Sequence, residues 1–163
     1  MKKLVYTALT IALIGIVACG GDAQEQERLK RKAEMTKKIE EESKVPASER
    51  ITVDNKGVGS IKNVELAELI DEEMVQRGME LFKTNCSACH KVDKRFIGPS
   101  PRGIMTRRSP EWIMNMILDP KLMTEQDRCA KDLLVEFNGA AMANQNLTED
   151  QARDILEYFR TLN

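Results

Sequence analysis

The chain has 163 residues, which is enough for one ordinary domain once an N-terminal segment is set aside. It carries 25 Lys and Arg against 26 Asp and Glu, and only 4% of its residues are aromatic. A near-neutral chain with so few aromatic residues lacks the basic, aromatic surface expected of a nucleic-acid-binding protein, so we expect no nucleic-acid partner.

The first residues have the pattern of an export signal. A positively charged start, Met1 to Lys3, is followed by an apolar run from Leu4 to Ala18. This run is shorter than the about 20 residues that a membrane-spanning helix needs, and it suits a secretory signal. It leads into Cys19 in a pattern that resembles a bacterial lipoprotein signal, so we expect Cys19 to be lipidated and the protein to lie on the periplasmic face of a membrane. An ordinary signal peptide and an uncleaved anchor are the alternatives.

The next segment predicts a tether. Residues 20–50 mix both charge signs densely and contain few large apolar side chains. A helix there would be polar nearly all round, hence a solvated spacer or a segment that is helical only transiently. The expected division is therefore a signal peptide at 1–18, a lipidated cysteine with a charged flexible tether at 19–50, and a domain at 51–163.

Capping residues and apolar faces predict four helices in that domain, after a glycine-rich loop at residues 51–60. The predicted helices run from Asp71 into the cysteine motif, from Pro110 to Asp119, from Glu125 to Phe137, and from Thr148 to about Leu162. Asp71 is a favourable N-cap, Pro110 stands at a first helical position, and Thr148 with Gln151 forms a capping box. No strand is needed, so the predicted fold class is all-α.

The stretch TNCSACHKV, residues 84–92, holds two of the four cysteines and the only histidine. Cys86-X-X-Cys89-His90 is the attachment signal for one covalent haem c, in which both thiols form thioethers and the histidine ligates the iron. A zinc site would need four ligands, and only Cys129 is left to add. A thioredoxin-like CxxC follows a strand in an α/β context, and a simple disulfide would leave the histidine unexplained.

With this motif, residues 71–162 resemble the class I (monohaem) cytochromes c, particularly the small bacterial membrane-tethered ones. The similar stretches are the helix from Gly78 into the CSACH motif, Ile97-Gly98-Pro99, RRSPEWIMNMILDP, and the loop that begins at Met142. The resemblance implies the small helical cytochrome c fold around one haem and a role in electron transport.

The resemblance also implies roles for particular residues. Gly78 and Phe82 match family positions that pack against an aromatic residue of the last helix, here Tyr158. The Pro99 carbonyl would accept a hydrogen bond from the axial His90, which fixes the ring and raises its basicity. Met142 matches the second axial ligand, although Ala143 follows it where the family often has proline.

For several other residues the sequence leaves two roles open. The remaining methionines lie on helices or too close to the haem motif, which favours Met142 as the ligand. Trp112 could donate its indole N–H to a haem propionate or simply pack in the core. Arg107 and Arg108 could neutralise the propionates or form a solvated pair. Cys129 is either a partly buried thiol without a role or a site of disulfide formation or regulation.

The predicted function is single-electron transfer between exported or membrane-bound respiratory redox partners through a His/Met-ligated haem, without catalysis. Six basic residues and one acid lie between residues 91 and 108, and they could steer an acidic partner towards the haem edge. Propionate compensation and solvated charge are the alternative explanation of this cluster. A gas-binding or sensing protein with a weak sixth ligand is a second functional hypothesis, and a fixed relay subunit of a respiratory or denitrifying reductase complex is a third.

Overall fold

The computed structural model describes residues 21–163, so the predicted signal peptide and the predicted lipidation site Cys19 lie outside the described residues. The chain divides into two compact units, Met1–Glu41 and Glu42–Asn163. None of the helices in the described part is long and apolar enough to cross a membrane.

The helix α1 (Gly21–Ser43) occupies the segment predicted as a tether. Its described side chains are exposed except for the half-buried Ile39, and even Leu29 and Met35 face solvent. Pairs such as Arg31–Glu27, with 2.6 Å between Nη2 and Oε1, bridge successive turns of the helix. The segment is thus a continuous polar helix here, in which i,i+4 ion pairs contribute a few tenths of a kcal/mol each.

The second unit is all-α in its described residues. Its helices are α2 (Glu72–Asn85), α3 (Ile104–Arg107), α4 (Pro110–Leu118), α5 (Pro120–Gln126), α6 (Arg128–Glu136) and α7 (Glu149–Arg160). Within residues 21–163 the only strand-like pairs are two isolated bridges, Thr52 with Arg108 and Lys91 with Lys94. This confirms the predicted all-α class.

The helix caps follow the predictions at three places and depart from them at one. The Asp71 carboxylate accepts from the Met74 amide, Ser109 caps α4, and the Thr148 capping box opens α7. The helix predicted at 125–137 is present as α6 but begins three residues later, at Arg128, and the preceding helix α5 was not predicted. Asp119 caps α5 and Asp127, in an extended conformation, caps α6, so the chain turns between them. The short helix α3 was not predicted.

The core is organised by a close crossing of α2 and α7. A Cβ atom on Gly78 would lie 2.0 Å from the backbone oxygen of Asp154, so only glycine permits this approach. Next to the crossing, the Phe82 ring centroid lies 5.7 Å from that of Tyr158 and 5.8 Å from that of Phe159. Phe82 packs against Tyr158 as expected, and Phe159 joins this contact, whereas Gly78 lies against the backbone of Asp154 and Ile155.

The domain begins earlier than the predicted boundary at residue 51. Ala47 is buried, and the Ser48 amide and hydroxyl both donate to the Glu136 carboxylate, at 2.8 and 2.7 Å. Arg50 pairs with Asp132 on α6. We call residues 45–52 the N-terminal strap, and these contacts make it part of the domain rather than of the tether.

Replacing Gly78 with alanine tests the helix crossing. We expect Gly78→Ala to lower the free energy of unfolding of the haem-loaded protein by roughly 3 kcal/mol or more, because backbone must move to admit the Cβ atom. Gln76→Ala, an exposed change on the same helix, is the control and should leave stability nearly unchanged. Equal denaturation midpoints for the two variants would contradict the close crossing.

Glu157 joins α7 to the start of α2. It is 1% exposed, and its carboxylate accepts from Arg153 at 2.6 Å, from Arg160 at 2.5 Å and from the Asp71 amide at 3.1 Å. Burial by itself would raise the pKa of Glu157, but these hydrogen bonds and the two cations outweigh it and leave the pKa below its ordinary value. The carboxylate is therefore a stabilising, ionised group at neutral pH.

Glu157→Gln should lower the free energy of unfolding at pH 7 by about 1.5–3 kcal/mol, since it removes the charge that three donors share. The pKa of Glu157 is lower in the folded protein than in the unfolded chain, where it is about 4.3. The stabilisation is therefore complete above about pH 4.3 and is lost as the pH falls through the pKa of the folded state. The difference between wild type and variant should therefore shrink below about pH 4, as measured by denaturant titration. Glu80→Gln, at an exposed position, is the control and should leave stability nearly unchanged. If the stability difference between wild type and Glu157→Gln stays constant with pH, Glu157 does not act as a stabilising carboxylate.

Candidate haem-binding site

The two motif cysteines and the histidine lie on the turn that ends α2. The Cys86 amide donates to the Phe82 carbonyl, and the amides of Cys89 and His90 both donate to the Cys86 carbonyl. The helix C-terminus thus folds all three side chains into one turn. Because the crossing at Gly78 holds α2 in place, the turn has a fixed position in the domain.

Both motif cysteines are free thiols. Burial, followed by the neighbouring Cys89, raises the pKa of Cys86 to about 11. The Cys86 thiol therefore lacks the depressed pKa that activates the cysteine of a thioredoxin-like site. In the described part of the chain no group of three His, Cys, Asp or Glu residues is placed to hold a metal ion.

The His90 ring is held from two sides. Its Nδ1 lies 2.7 Å from the Pro99 carbonyl oxygen. Since a carbonyl only accepts, Nδ1 carries the proton and Nε2 keeps a free lone pair for a metal. A Cβ atom on Gly98 would lie 2.5 Å from the ring carbon Cε1, so Gly98 is needed for the backbone to lie against the imidazole. The predicted Pro99 contact is present, and Gly98 adds a constraint that was not predicted.

One cleft collects every residue predicted for the cofactor. It is lined by Cys86, Cys89, His90, Pro99, Arg107, Trp112 and Met142, with apolar side chains from α4, α6 and α7 between them. Many other cleft residues were not predicted for the cofactor, among them Ser48, Leu133 and Phe137. Leu133 and Phe137 show the i,i+4 apolar spacing of a buried helix face, whereas nothing in the sequence marks Ser48.

Two methionines among the described residues line this cleft, Met116 on α4 and Met142 in the loop before α7. Met123 is fully buried, and its sulfur accepts from the Val58 amide at 3.1 Å. The Met142 loop is anchored to α4 by Asn144, whose side-chain nitrogen lies 3.1 Å from the Leu118 carbonyl oxygen. The structure thus brings Met142 to the cleft together with His90.

Trp112 does not offer its indole N–H to a propionate. The residue is 3% exposed, and its Nε1 donates to Asp127 Oδ1 at 3.0 Å. The same carboxylate oxygen accepts from the Ala130 amide, so one buried Asp127 fixes both the indole and the start of α6. The core-packing alternative for Trp112 is the one that the structure shows.

Arg107 is half buried at the edge of the cleft and donates from Nη2 to the Arg102 carbonyl at 2.8 Å. Burial, and then the adjacent Arg108, lower the pKa of Arg107 from its ordinary value. An anion placed in the cleft would relieve both effects, which is compatible with the predicted propionate role of Arg107.

The basic cluster predicted between residues 91 and 108 is smaller on the surface than its sequence suggests. Arg95 pairs with Glu136 at 2.5 Å and lies over the Phe137 ring, and Arg102 pairs with Asp93 at 2.5 Å. Arg108 is buried. The cluster available to a partner is therefore centred on Lys91 and Lys94.

These lysines border an exposed apolar patch. Phe96 is 50% and Ile97 48% exposed. The exposed Cys89 lies near them, because its carbonyl accepts from the amide of Gly98, the residue after Ile97, at 2.9 Å. Lys91 Nζ lies 5.2 Å from the Phe96 ring centroid, which joins the charge to the patch. The edge of the site that carries the Cys89 thiol is thus apolar, accessible and flanked by positive charge.

The donor set and the shape of the cleft fit a covalently attached haem. Two free thiols and one oriented imidazole stand at the edge of an apolar cleft, and a side chain larger than glycine at position 98 would collide with that imidazole. A haem held here by Cys86 and Cys89 would have His90 as an axial ligand.

Comparison with known proteins agrees with this geometry. The family model described as Cytochrome c matches residues 75–163, more than half of the chain. Among solved structures, a cytochrome c from Rhodothermus marinus is 41% identical, with a TM-score of 0.62, 72% of this chain covered and 93% of the other. No curated protein matches the chain.

Two structures of one engineered form of the Rhodothermus marinus cytochrome c are also similar to this chain. The form named Rma TDE is 41% identical with a TM-score of 0.62, and covers 72% of this chain and 94% of its own. The same form bound to a carbene intermediate has a TM-score of 0.60 at the same identity and coverage. With the CSACH turn, the oriented His90 and the apolar cleft, these matches show that the chain belongs to the cytochrome c family of electron-transfer proteins, which carry haem c attached through cysteines.

Proposed function

We propose that this cytochrome c is an exported one-electron carrier whose haem iron is ligated by His90 and Met142. The observation that carries the proposal is the single cleft that joins the haem-attachment turn, the oriented His90 and Met142. When bound, the haem supplies a one-electron couple between ferrous and ferric iron. The protein residues hold it, orient its axial ligands and limit access of water.

Met142 is supported over Met116 by its position in a loop rather than on a helix. The loop leaves α6 through Asn138 and Gly139, both with positive φ, and returns to α7 after the Asn144 anchor on Leu118. A thioether favours reduced iron and occupies the position that a small ligand would need. Met142 would therefore raise the reduction potential and suit the protein to electron exchange rather than to catalysis.

The exposed edge at Cys89 is the proposed exchange surface. Phe96 and Ile97 would contact a partner directly, while Lys91 and Lys94 would attract an acidic one. Long-range attraction raises the encounter rate, and a small apolar contact keeps the complex short-lived. Both properties are useful for a protein that alternates between a donor and an acceptor.

The N-terminal part supports a membrane-tethered carrier. Cytochromes of this family are typically exported, and the sequence before α1 has the pattern of a lipoprotein signal with Cys19 as the lipidation site. The polar helix α1 has 23 residues and is about 35 Å long, and it would stand between such an anchor and the domain in the chain. The tether would keep the carrier at the periplasmic membrane surface and leave the domain free to meet its partners.

Substituting each cleft methionine tests the ligation. We expect the oxidised wild type to show a sulfur-to-iron charge-transfer band, Met142→Ala to lose it, and the matched cleft variant Met116→Ala to keep it. Reduced Met142→Ala should bind carbon monoxide, because the sixth position is then open.

The opposite pattern is equally informative. A band that survives in Met142→Ala and disappears in Met116→Ala would assign the ligand to Met116. A wild type that lacks the band and binds carbon monoxide readily when reduced would replace the electron-carrier proposal with a gas-binding one.

Ionic strength tests the exchange surface. Electron exchange with a small anionic iron complex should slow as salt rises, and Lys94→Glu should flatten this dependence because it removes attraction beside Cys89. Lys62→Glu makes the same charge change at another exposed lysine and should retain most of the slope. Stopped-flow rates that fall equally for both variants would show that net charge, and not this edge, controls the encounter.

A further inference from the structure

We propose that Arg108 holds a haem propionate through its Nε–H group and thereby couples the cofactor to the N-terminal strap. The inference rests on the haem site described above, but not on the identity of the sixth ligand. From the sequence, either Arg107 or Arg108 could neutralise a propionate, and the proposal assigns this role to Arg108. It also makes the N-terminal strap part of the cofactor site.

Arg108 is a buried cation that forms no ion pair in the described structure. Asp127 and Glu136 attract it only from beyond ion-pair distance, and its guanidinium carbon lies 5.2 Å from the Trp112 ring centroid. Arg108 is 3% exposed, and none of the ion pairs formed within residues 21–163 includes it. Burial is the largest influence on its pKa and lowers it from the ordinary arginine value. An unpaired buried charge is expensive in free energy, so this position calls for an anion or for a dense set of acceptors.

Backbone carbonyls accept hydrogen bonds from two of the three guanidinium nitrogen atoms of Arg108. Nη1 donates to the Arg50 carbonyl and, at 3.0 Å, to the Arg107 carbonyl, while Nη2 donates to the Ala47 carbonyl at 2.5 Å. The Nε atom has no partner. Among the residues described, it is the one buried side-chain nitrogen or oxygen left without a hydrogen bond. A buried N–H without an acceptor costs about 1–3 kcal/mol, which makes such an atom a pointer to a ligand.

The position of Arg108 in the haem cleft indicates which group could accept a hydrogen bond from its Nε. Arg108 lines the same cleft as His90 and Met142, and the haem that this cleft fits brings two carboxylates as its only anionic groups. A carboxylate at Nε would supply both the missing acceptor and the missing countercharge. Arg107 lines the cleft as well, but it is half exposed, and water can satisfy its remaining donors.

The other side of the guanidinium holds the strap. Two strap carbonyls, those of Ala47 and Arg50, accept from Arg108, and the Thr52 amide donates to the Arg107 carbonyl at 2.8 Å. Ser48, between the two carbonyls, lines the cleft itself. A propionate that orients Arg108 therefore also orders the strap, which follows α1 directly in the chain.

The experiment compares Arg108→Gln with Arg108→Lys and with the matched cleft variant Arg107→Gln, all in the haem-loaded protein. A paired arginine lowers a carboxylate pKa by about 1–3 units, so Arg108→Gln should move the propionate-linked step in reduction potential upward by about one pH unit or more. Arg108→Lys keeps the charge and should move this step less. Arg107→Gln should also move it less than Arg108→Gln does, because the Arg107 side chain is half exposed and its charge is screened by water. Identical pH profiles for Arg108→Gln and Arg107→Gln would overturn the proposal.

Hydrogen exchange tests the coupling to the strap. The amides of Ser48 and Thr52 should exchange at least about tenfold faster in Arg108→Gln than in wild type, while amides in the middle of α2 and α7 keep their rates. Unchanged strap protection would overturn the coupling. The sulfur-to-iron charge-transfer band should persist in every variant. If it does, unchanged strap protection contradicts the coupling proposed here and leaves the proposed His/Met ligation intact.

A measurement on the wild type covers the case in which the Arg108 variants do not fold. Infrared difference spectra of protein whose haem propionates carry ¹³C should show one propionate that stays ionised about one pH unit or more below the other. Two propionates that titrate together at an ordinary carboxylic acid pKa would refute a contact with Arg108.

Discussion

The close approach of α2 and α7 at Gly78 is the constraint on which the rest of the site depends. With no side chain at this position, the α7 backbone at Asp154 lies against α2, and Phe82 packs between Tyr158 and Phe159. The direction in which α2 ends is thereby fixed. Because the haem-attachment turn begins at the next residue after α2, the crossing sets where both thiols and the imidazole stand.

The two proposed axial ligands are held in different ways. His90 is restrained by the Pro99 carbonyl and by the bare backbone of Gly98, both within ten residues of it. Met142 belongs to a loop that hydrogen-bonds to α4 through Asn144 and the Leu118 carbonyl and packs Leu147 against the core. The loop has Ala143 where the family often has proline, so the backbone next to Met142 lacks the fixed φ angle of a proline.

Much of the positive charge near the site is paired with carboxylates of the same domain rather than left for a partner. Arg95 and Arg102 are paired with Glu136 and Asp93, and Glu136 also binds the strap through Ser48. Arg108 is buried between the strap and the cleft. The positive charge that remains beside the exposed Cys89 edge is that of lysines next to Phe96, an arrangement of weak attraction around a small apolar contact.

The sequence by itself determined the features that depend on neighbours in the chain. Thioether attachment needs two thiols and a histidine at fixed spacing, and helix caps such as Asp71 and Thr148 act within one turn, so both could be identified from local pattern. Only the tertiary structure decided which distant groups meet. Asp127 takes the indole N–H of Trp112, Glu136 pairs with Arg95 across 41 positions, and the strap carbonyl of Ala47 binds Arg108 across 61. These partners meet only when the helices pack, because packing buries polar groups that are far apart in the chain. Each buried group then needs a hydrogen-bond partner nearby in space, and the sequence alone does not show which group that is.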